Sequence, residues 1–275
     1  MRDLAGKTAV VTGAGSGIGR SLARQFAAEG MHVVLADVEE AALSSVVAEL
    51  DGEVLGVPTD VSDGDAVEQL AVSAYDAFGA VHLLCNNAGV FQGGLLWECS
   101  DADYEWTLSV NLWGILHGVR AFVPRMLAAG TEGHVVNTIS MAGLATTPFS
   151  GPYNVSKFAA MAATECLAHD LATIGAPIKV SAVCPGLVDT EIARSRRNRP
   201  AALATEQHEG GAFVDQALAD GTAGSMSPDA VADLVVAAVR EEKFLVPTRG
   251  SFAQQLTDRA EDLVARRAPR SPTFD

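Results

Sequence analysis

The sequence predicts an α/β protein with a doubly wound parallel sheet of about seven strands between two helical layers. Short apolar runs alternate with longer amphipathic stretches along almost the whole chain, which is typical of parallel strands joined by crossover helices. The apolar runs are nearly continuous, as expected for strands that are buried on both faces. A glycine-rich segment follows the first run, where a nucleotide-binding sheet makes its first turn from strand to helix.

The elements follow one another as strand and helix in turn. Strands are predicted over 7–12, 32–36, 53–57, 81–86, 134–138, 178–183 and 244–247. Helices are predicted over 17–29, 39–50, 63–78, 106–129, 152–174, 228–240 and 252–266.

One segment, residues 190–227, interrupts this alternation between the sixth strand and the last helix-strand unit. A connection of this length inside a domain is usually functional, so we expect a helical lid over a substrate. We therefore expect a single domain over residues 1–268. Two prolines follow the last helix, and residues 269–275 are predicted to form a flexible tail.

Composition excludes several classes of partner. The chain has 275 residues, a formal net charge of −15 and a pI near 4.7, which disfavour nucleic acid and anionic membrane as partners. No apolar run reaches the roughly 20 residues that cross a bilayer, so we expect a cytoplasmic protein. The four cysteines and six histidines are scattered without metal-ligand spacing, and we expect no metal.

Two residues in the predicted helix 152–174 have the spacing of an acid/base pair. Tyr153 and Lys157 are four residues apart and therefore lie on one helical face. The pKa of a phenol is ordinarily about 10, and a nearby positive charge lowers it. Such a phenol can exchange a proton with an alcohol or a carbonyl compound. Ser140 lies thirteen residues before Tyr153 and supplies a hydroxyl at a strand end, although it could instead satisfy a turn.

The glycine-rich turn indicates a bound dinucleotide. Glycine lets the backbone approach a pyrophosphate at a helix N-terminus. Glycines alone could also form a turn without a ligand, but this turn stands at the first strand-helix junction. The register is Gly-x-x-x-Gly-x-Gly, and the candidate residues are Gly13, Ser16, Gly17, Ile18 and Gly19.

Asp37 ends the second predicted strand and predicts the identity of the cofactor. A carboxylate at this position hydrogen-bonds ribose hydroxyls and repels a 2′-phosphate. Val38 offers no positive charge that could hold such a phosphate. NAD is therefore predicted over NADP.

Together these residues resemble the short-chain dehydrogenase/reductase family in its single-domain, NAD-dependent form. The resemblance runs from about Lys7 to Pro247. It is specific because the motifs occur as one ordered set: Thr12-Gly13-x-x-x-Gly17-x-Gly19, Asp60, Asn86-Asn87-Ala88-Gly89, Asn111, Ser140, Tyr153-x-x-x-Lys157 and Pro185-Gly186-x-x-x-Thr190.

The resemblance implies a Rossmann fold and a catalytic set of Asn111, Ser140, Tyr153 and Lys157. Tyr153 is then the acid/base and Ser140 holds the substrate oxygen. Lys157 binds the nicotinamide ribose and lowers the pKa of Tyr153, and Asn111 holds a water that connects Lys157 to solvent. The resemblance adds further cofactor contacts at Asp60, Val61, Asn87, Ala88, Gly89, Pro185, Gly186, Val188 and Thr190.

The substrate region should lie at the carboxyl ends of the strands. Its apolar and aromatic composition predicts a hydrophobic secondary alcohol or ketone, aromatic, terpenoid or steroid-like. Each candidate side chain could equally belong to the core or to a subunit contact. The candidates are Phe91, Leu95, Leu96, Trp97, Leu144, Phe149, Leu187, Ile192 and Phe213.

The start of the expected lid carries four arginines in an otherwise acidic chain. They could form a solvated helix face, or one of them could receive a substrate carboxylate or phosphate as the lid closes. The four are Arg194, Arg196, Arg197 and Arg199.

Two other functions stay open at this point. One is an NADPH-linked ketone or 3-oxoacyl carrier reductase, which Asp37 disfavours. The other is a nucleotide-sensing protein without catalysis, which the presence of both Tyr153 and Lys157 disfavours. The resemblance also implies a homo-oligomer, usually a tetramer, assembled through the two long helices at Leu112, Ile115, Phe122, Phe158 and Met161.

Overall fold

A computed structural model of the chain describes residues 1–206 and 209–272. The strands are β1 (Thr8–Thr12), β2 (His32–Asp37), β3 (Val54–Pro58), β4 (Leu83–Asn86), β5 (Gly133–Thr138), β6 (Ile178–Cys184) and β7 (Leu245–Pro247). The helices are α1 (Gly17–Ala28), α2 (Glu40–Glu49), α3 (Gly64–Phe78), α4 (Asp101–Leu108), α5 (Gly114–Ala129), α6 (Gly151–Thr173), α7 (Glu209–Thr222), α8 (Pro228–Glu241) and α9 (Phe252–Val264).

The seven strands form one parallel sheet in the order β3-β2-β1-β4-β5-β6-β7. Helices cover both faces, and the predicted doubly wound α/β/α Rossmann fold is confirmed. The strand order reverses between β1 and β4, and ligands of such sheets bind in the crevice outside the strand ends at this point.

Burial on both faces explains why the strands are apolar throughout. Val10 and Val11 are adjacent in β1, yet they belong to the cores on opposite sides of the sheet. Val11 packs with Phe26 of α1, whereas Val10 packs with Phe122 of α5. These four side chains are nearly inaccessible to solvent, and so is that of Leu83 in β4. The sheet is thus a rigid support for the loops at its carboxyl edge.

The predicted helix over 106–129 differs from the structure. The structure has α4, then a π-helical turn at Ser109–Trp113, and then α5. A π turn inside a helix commonly marks a functional site. Here it contains Asn111.

The interrupting segment 190–227 carries helices of its own. Two short 3₁₀ helices, Glu191–Asn198 and Ala201–Leu203, precede α7. We call the part from Thr190 to Thr222 the lid segment.

The described part of the C-terminal tail contacts α9, and its flexibility stays a prediction. The Arg270 backbone and guanidinium donate 3.0 Å hydrogen bonds to Asp262 on α9. The guanidinium also donates a 3.0 Å hydrogen bond to Glu261 and forms an ion pair with Asp258. Three acids on one helical face therefore hold a single arginine. Residues 273–275 of that prediction lie outside the described residues.

Three of the proposed subunit-contact residues are buried inside the subunit. Ile115 is 3% exposed, Met161 is 8% exposed and Phe122 is fully inaccessible, because all three side chains pack into the core of the subunit. Within residues 1–206 and 209–272, none of the helices has both the length and the apolar character needed to cross a bilayer.

Candidate active site

Three polar side chains meet at the carboxyl ends of β5 and β6. Ser140 follows β5, while Tyr153 and Lys157 occupy the first two turns of α6. The Ser140 hydroxyl is hydrogen-bonded to the Tyr153 side chain, and the Lys157 Nζ lies 5.7 Å from the centroid of the Tyr153 ring. The Ser140 oxygen also accepts a 3.1 Å hydrogen bond from the Ala142 backbone, which fixes its rotamer. The sequence spacing has brought the three groups together.

Burial controls the proton affinities of this cluster. It raises the pKa of Tyr153, while the hydrogen bond from Ser140 opposes this shift. Burial also lowers the pKa of Lys157 to about 8. The nearby Cys184 thiol has its pKa raised to about 12 by burial and is therefore a neutral neighbour. The expected lowering of the Tyr153 pKa by Lys157 is not found, because the ammonium itself is desolvated and directed at the Thr138 carbonyl oxygen, 3.0 Å away.

Asn111 supports the loop that follows β4. Its Oδ1 accepts a 2.8 Å hydrogen bond from the Val90 backbone, and its Nδ2 donates to the Val90 carbonyl oxygen at 2.9 Å and to Ser156 Oγ at 3.0 Å. Both Asn111 Oδ1 and Lys157 Nζ lie about 3.5 Å from the place of a Cβ on Gly89. Asn111 is fully buried and does not line the main cavity.

The glycine-rich turn packs so closely that side chains are excluded. A Cβ on Gly13, which has φ of 65°, would lie 2.8 Å from Ala88 Cα. A Cβ on Gly19 would overlap the Gly13 carbonyl and come within 2.6 Å of Asn87 Nδ2. Gly19 therefore shapes the turn without lining the cavity itself. The α1 N-terminus is left open toward the crevice, as an anion-binding site requires.

Asp37 closes the far side of this turn. Its Oδ2 accepts a 2.8 Å hydrogen bond from the Gly15 backbone, and its Oδ1 accepts a 2.9 Å hydrogen bond from the Glu39 backbone. The carboxylate is held at the end of β2 with its negative charge at the cavity wall. This fixed charge can accept hydrogen bonds from a ribose and repels a phosphate.

A continuous cavity of about 760 Å³ joins the two ends of the site. Its size is within the range of small-molecule and cofactor sites. It is lined by Ser140, Tyr153, Lys157 and these predicted cofactor residues: Gly13, Ser16, Gly17, Ile18, Asp37, Asp60, Val61, Asn87, Ala88, Gly89, Pro185, Gly186, Val188 and Thr190.

The predicted substrate residues divide into two groups. Those that line the cavity are Phe91, Phe149, Leu187, Ile192 and Phe213.

The others do not reach it. Leu96 is 61% exposed and, with Leu95 and Trp97, borders a separate surface depression, because the loop turns these side chains outward. Leu144 is 6% exposed and packs in the core beneath the site. These assignments are corrected.

Phe149 has a strained backbone at the cavity wall. Its φ of 55° lies in the left-handed region, which costs a non-glycine residue of order 1–3 kcal/mol. The Gly94 backbone donates a 2.8 Å hydrogen bond to the Phe149 carbonyl oxygen and holds this conformation. The ring lies 6.1 Å from that of Phe213 on α7, edge to face. Two aromatic rings thus connect the body of the protein to the lid segment.

Two lid arginines form exposed ion pairs. Arg194 pairs with Glu191 at 3.1 Å on the surface. Arg197 Nη2 lies 2.7 Å from Glu39 Oε1, and Asn198 donates a 2.8 Å hydrogen bond to the same oxygen. The hydrogen bond from Asn198, and then Arg197, hold the pKa of Glu39 below its ordinary value against the opposing effect of burial.

The other two arginines are engaged inside the protein. Arg199 Nη1 lies 2.6 Å from Asp103 Oδ1, both side chains are below 5% exposed, and the guanidinium stacks on Trp106 at 5.1 Å. Arg196 donates a 2.9 Å hydrogen bond to Gln92. All four arginines are bound to protein groups, which favours a structural interpretation of the cluster.

The sequence reasoning missed the contribution of the C-terminal region. Arg249, Gln255 and Pro272 line the cavity, together with Val214 and Leu218 of α7. Arg249 follows the last strand by two residues, and the rule that ligands lie beyond the carboxyl ends of parallel strands could have identified it.

Known proteins are similar to this chain over most of its length. The family model described as short chain dehydrogenase matches residues 7–201. The chain is 31% identical to the CLA biosynthesis dehydrogenase/reductase of Lactiplantibacillus plantarum over 98% of this chain and 97% of that protein. It is 36% identical to the 1-deoxy-11-beta-hydroxypentalenate dehydrogenase of Streptomyces arenae, over 97% of this chain and 90% of that one.

A solved structure is similar over the full length. A short chain dehydrogenase/reductase from Burkholderia phymatum, crystallised in complex with NAD, is 43% identical with a TM-score of 0.97, and each chain is covered completely. The ordered motifs, the sheet topology and these relatives agree. The chain belongs to the short chain dehydrogenase family, whose members are oxidoreductases.

Proposed function

We propose that the protein is an NAD-dependent dehydrogenase that interconverts a hydrophobic secondary alcohol and its ketone, with Tyr153 as acid/base. One observation carries this proposal. The hydroxyl of Ser140, the phenol of Tyr153 and the ammonium of Lys157 converge in a cavity whose other end holds Asp37 and the glycine turn. This cavity can accept a nicotinamide dinucleotide and a small substrate side by side.

The residues present fit the dinucleotide. The side-chain-free turn admits the pyrophosphate at the α1 N-terminus, and Asp37 accepts hydrogen bonds from the adenosine ribose. Asp60 and Val61 line the same cavity and would contact the adenine, and Thr190, which packs on Gly17, would contact the nicotinamide half. The solved relative from Burkholderia phymatum, crystallised with NAD, supports this choice of cofactor.

The chemistry follows from the positions of the polar groups. A bound nicotinamide supplies the hydride acceptor for oxidation and the hydride donor for reduction. During oxidation the Tyr153 phenolate accepts the hydroxyl proton of the alcohol, and during reduction the phenol returns it. Ser140 orients the reacting oxygen, since its hydroxyl is already hydrogen-bonded to Tyr153. Lys157 binds the nicotinamide ribose, and the Asn111 turn supports the proton route through Lys157 to solvent.

The lining supports a hydrophobic substrate. Phe91 lies 5.0 Å from the Tyr153 ring, and Phe149, Leu187 and Phe213 continue the apolar wall. Burial of such side chains against an apolar ligand contributes about 25 cal/mol per Å². The hydroxypentalenate dehydrogenase among the relatives supports a hydroxylated hydrophobic substrate.

A set of two tyrosine variants tests the proposal. Tyr153→Phe removes the proton-transferring oxygen and should lower kcat by at least about 10²-fold, while NADH binding is retained. Tyr75→Phe removes the same atom from α3, outside the cavity, and should leave turnover intact. Turnover of a panel of aromatic and alicyclic secondary alcohols with NAD is followed by absorbance of the reduced cofactor. Retained turnover in Tyr153→Phe would reject the assignment.

We further propose a homo-oligomer formed through α5 and α6 in the cytoplasm. Trp113 and Val155 support this arrangement, since they are 46% and 45% exposed near the starts of these helices. Light scattering coupled to size exclusion measures the assembly. A monomer in solution would reject it.

A further inference from the structure

The loop that follows β4 holds an aromatic ring against the acid/base. The Phe91 and Tyr153 ring centroids are 5.0 Å apart, with the two planes tilted by 54°. Phe91 is 6% exposed and lines the cavity, whereas Tyr153 is only partly buried. The Phe91 ring therefore covers one side of the reacting phenol, and its position decides how much water reaches that side.

The backbone around Phe91 is fixed from two directions. The residue before it is bound through both of its backbone groups to Asn111. The Phe91 backbone N–H donates a 3.0 Å hydrogen bond to Ser195 Oγ in the lid segment. The next residue, Gln92, accepts a 2.9 Å hydrogen bond from Arg196. The body of the protein thus holds the loop before Phe91, and the lid segment holds it at Phe91 and after.

Ser195 is oriented for this contact by a hydrogen bond within its own helix. It lies in the 3₁₀ helix Glu191–Asn198, and its hydroxyl donates to the Ile192 carbonyl oxygen three residues earlier. The hydroxyl hydrogen is therefore directed at Ile192, and the oxygen is left to accept the Phe91 N–H. Ser195 is 4% exposed. Without this acceptor the Phe91 N–H would be buried and unpaired, which is costly, so the loop would shift toward another acceptor or water.

We propose that Ser195 is a positioning residue that holds the Phe91 ring over Tyr153 and so excludes water from the acid/base. The inference rests on the proposed function, because it needs Tyr153 to exchange the proton of the substrate. The Ser195 hydroxyl makes its hydrogen bonds to Ile192 and Phe91, inside the protein. It therefore acts on the reaction through the Phe91 ring, which also completes the apolar wall for the body of the substrate.

The pH profile of alcohol oxidation tests the proposal. In Ser195→Ala we expect the Phe91 ring to withdraw and water to reach Tyr153. The rise of kcat/KM for α-methylbenzyl alcohol with NAD should then move to lower pH by about half a unit or more. Its plateau at high pH should fall about 10-fold, because the apolar wall is incomplete. Among the described residues, the titratable groups close to Tyr153 are Lys157 on α6 and Cys184 on β6, and this variant keeps both.

A cycle of two substitutions shows whether Ser195 acts through Phe91. Phe91→Ala removes the ring and should itself shift the profile to lower pH and lower the plateau. Ser195→Ala added to Phe91→Ala should then change the plateau by less than about twofold. Ser195→Cys keeps a weaker acceptor of similar size and should give a smaller shift in the same direction.

Ser225→Ala is the matched control. Ser225 follows α7, and its hydroxyl likewise donates to a carbonyl oxygen three residues earlier, that of Thr222, at 2.8 Å. Its removal should leave the profile and the plateau as in wild type. Thermal unfolding shows that each variant is folded at the assay temperature, and Ser195→Cys carries the test if Ser195→Ala is not.

Three results would overturn the proposal. The first is a profile in Ser195→Ala that is unchanged or moves to higher pH. The second is a loss of plateau that persists in full when Ser195→Ala is added to Phe91→Ala. The third is weaker NADH binding by Ser195→Ala, measured as a Kd by fluorescence, which would assign Ser195 to the cofactor. If wild type oxidises no secondary alcohol with NAD, the proposed function itself fails, and the inference fails with it.

Discussion

The Lys157 ammonium donates a 3.0 Å hydrogen bond to the carbonyl oxygen of Thr138, at the end of β5. The Thr138 hydroxyl donates a 3.2 Å hydrogen bond to Asn87 Oδ1, and Asn87 Nδ2 donates a 2.9 Å hydrogen bond to the Thr12 carbonyl oxygen. One chain of hydrogen bonds therefore joins Lys157 to the glycine turn. The two ends of the site are held in register by the sheet itself.

Replacing Lys157 should abolish activity but increase stability near neutral pH. Burial lowers the pKa of Lys157 from 10.5 to about 8, so the unfolded chain binds more protons than the folded protein between these values. Wild-type stability therefore rises with pH across this window, and the full cost of the buried charge is present below it. Lys157→Met should be inactive yet gain stability relative to wild type near neutral pH, and this gain should shrink toward pH 10.

Thermal unfolding at both pH values measures this gain. Lys179→Met, at an exposed lysine on β6, is the control and should show no such pH-dependent difference. A gain for Lys157→Met that does not vary with pH would contradict the explanation.

The choice of cofactor should depend on the charge of Asp37. Asp37→Asn keeps the size of the side chain but removes the repulsion of a 2′-phosphate and one acceptor for the Gly15 and Glu39 backbones. We expect kcat/KM with NAD to fall about 10-fold or more relative to that with NADP. Steady-state kinetics with both cofactors measure the ratio.

Asp60→Asn is the matched control for this change. Asp60 accepts hydrogen bonds from the backbone and hydroxyl of Ser62, so its neutralisation should affect both cofactors alike. An unchanged NAD/NADP ratio in Asp37→Asn would show that another group sets the preference.

The pH dependence of kcat/KM should be opposite for alcohol oxidation and ketone reduction. Burial raises the pKa of Tyr153, so the phenolate needed for oxidation is scarce at neutral pH. We expect kcat/KM for the alcohol to rise with pH until that pKa, and kcat/KM for the ketone to stay level and fall only above it. Ser140→Ala removes the hydrogen bond that lowers this pKa and should move the alcohol profile to higher pH. Profiles that coincide in both directions would contradict Tyr153 as the titrating group.

The buried ion pair of the lid should dominate its stability. Arg199→Met leaves the Asp103 carboxylate inside the protein without its cation and should cost about 3 kcal/mol of unfolding free energy. Arg194→Met removes an exposed arginine whose pair with Glu191 contributes less than about 1 kcal/mol. Urea unfolding curves compare the two, and equal losses would argue against the buried pair as the anchor.

Residue spacing was sufficient to predict the parts of the site that depend on local geometry. The pair Tyr153 and Lys157 shares a face because both lie on one helix, Gly13 directly follows β1, and Asp37 ends β2. These positions are fixed by periodicity and by the parallel sheet alone. The fold and the family were predicted from them and are confirmed.

Side-chain direction in loops could not be predicted in the same way. Leu96 and Phe149 both lie in loops and were both predicted to contact the substrate, but only Phe149 lines the main cavity. Arg249 reaches the site through the pairing of β7 with β6, a contact between residues about sixty positions apart in the chain. The position of Arg249 after the last predicted strand could have placed it near the site, but the direction of its side chain could not be predicted from the sequence.

Two ion pairs that hold the lid segment differ greatly in strength. Near Trp106 the segment is bound by a desolvated ion pair, whereas over Asp37 it is bound by the Arg197 and Glu39 pair in contact with water. Separating the second pair costs far less free energy than separating the first. We therefore expect a dinucleotide to leave from the adenosine side of the cavity while the substrate pocket stays assembled, and we expect added salt, by screening the Arg197 and Glu39 contact, to hasten its departure.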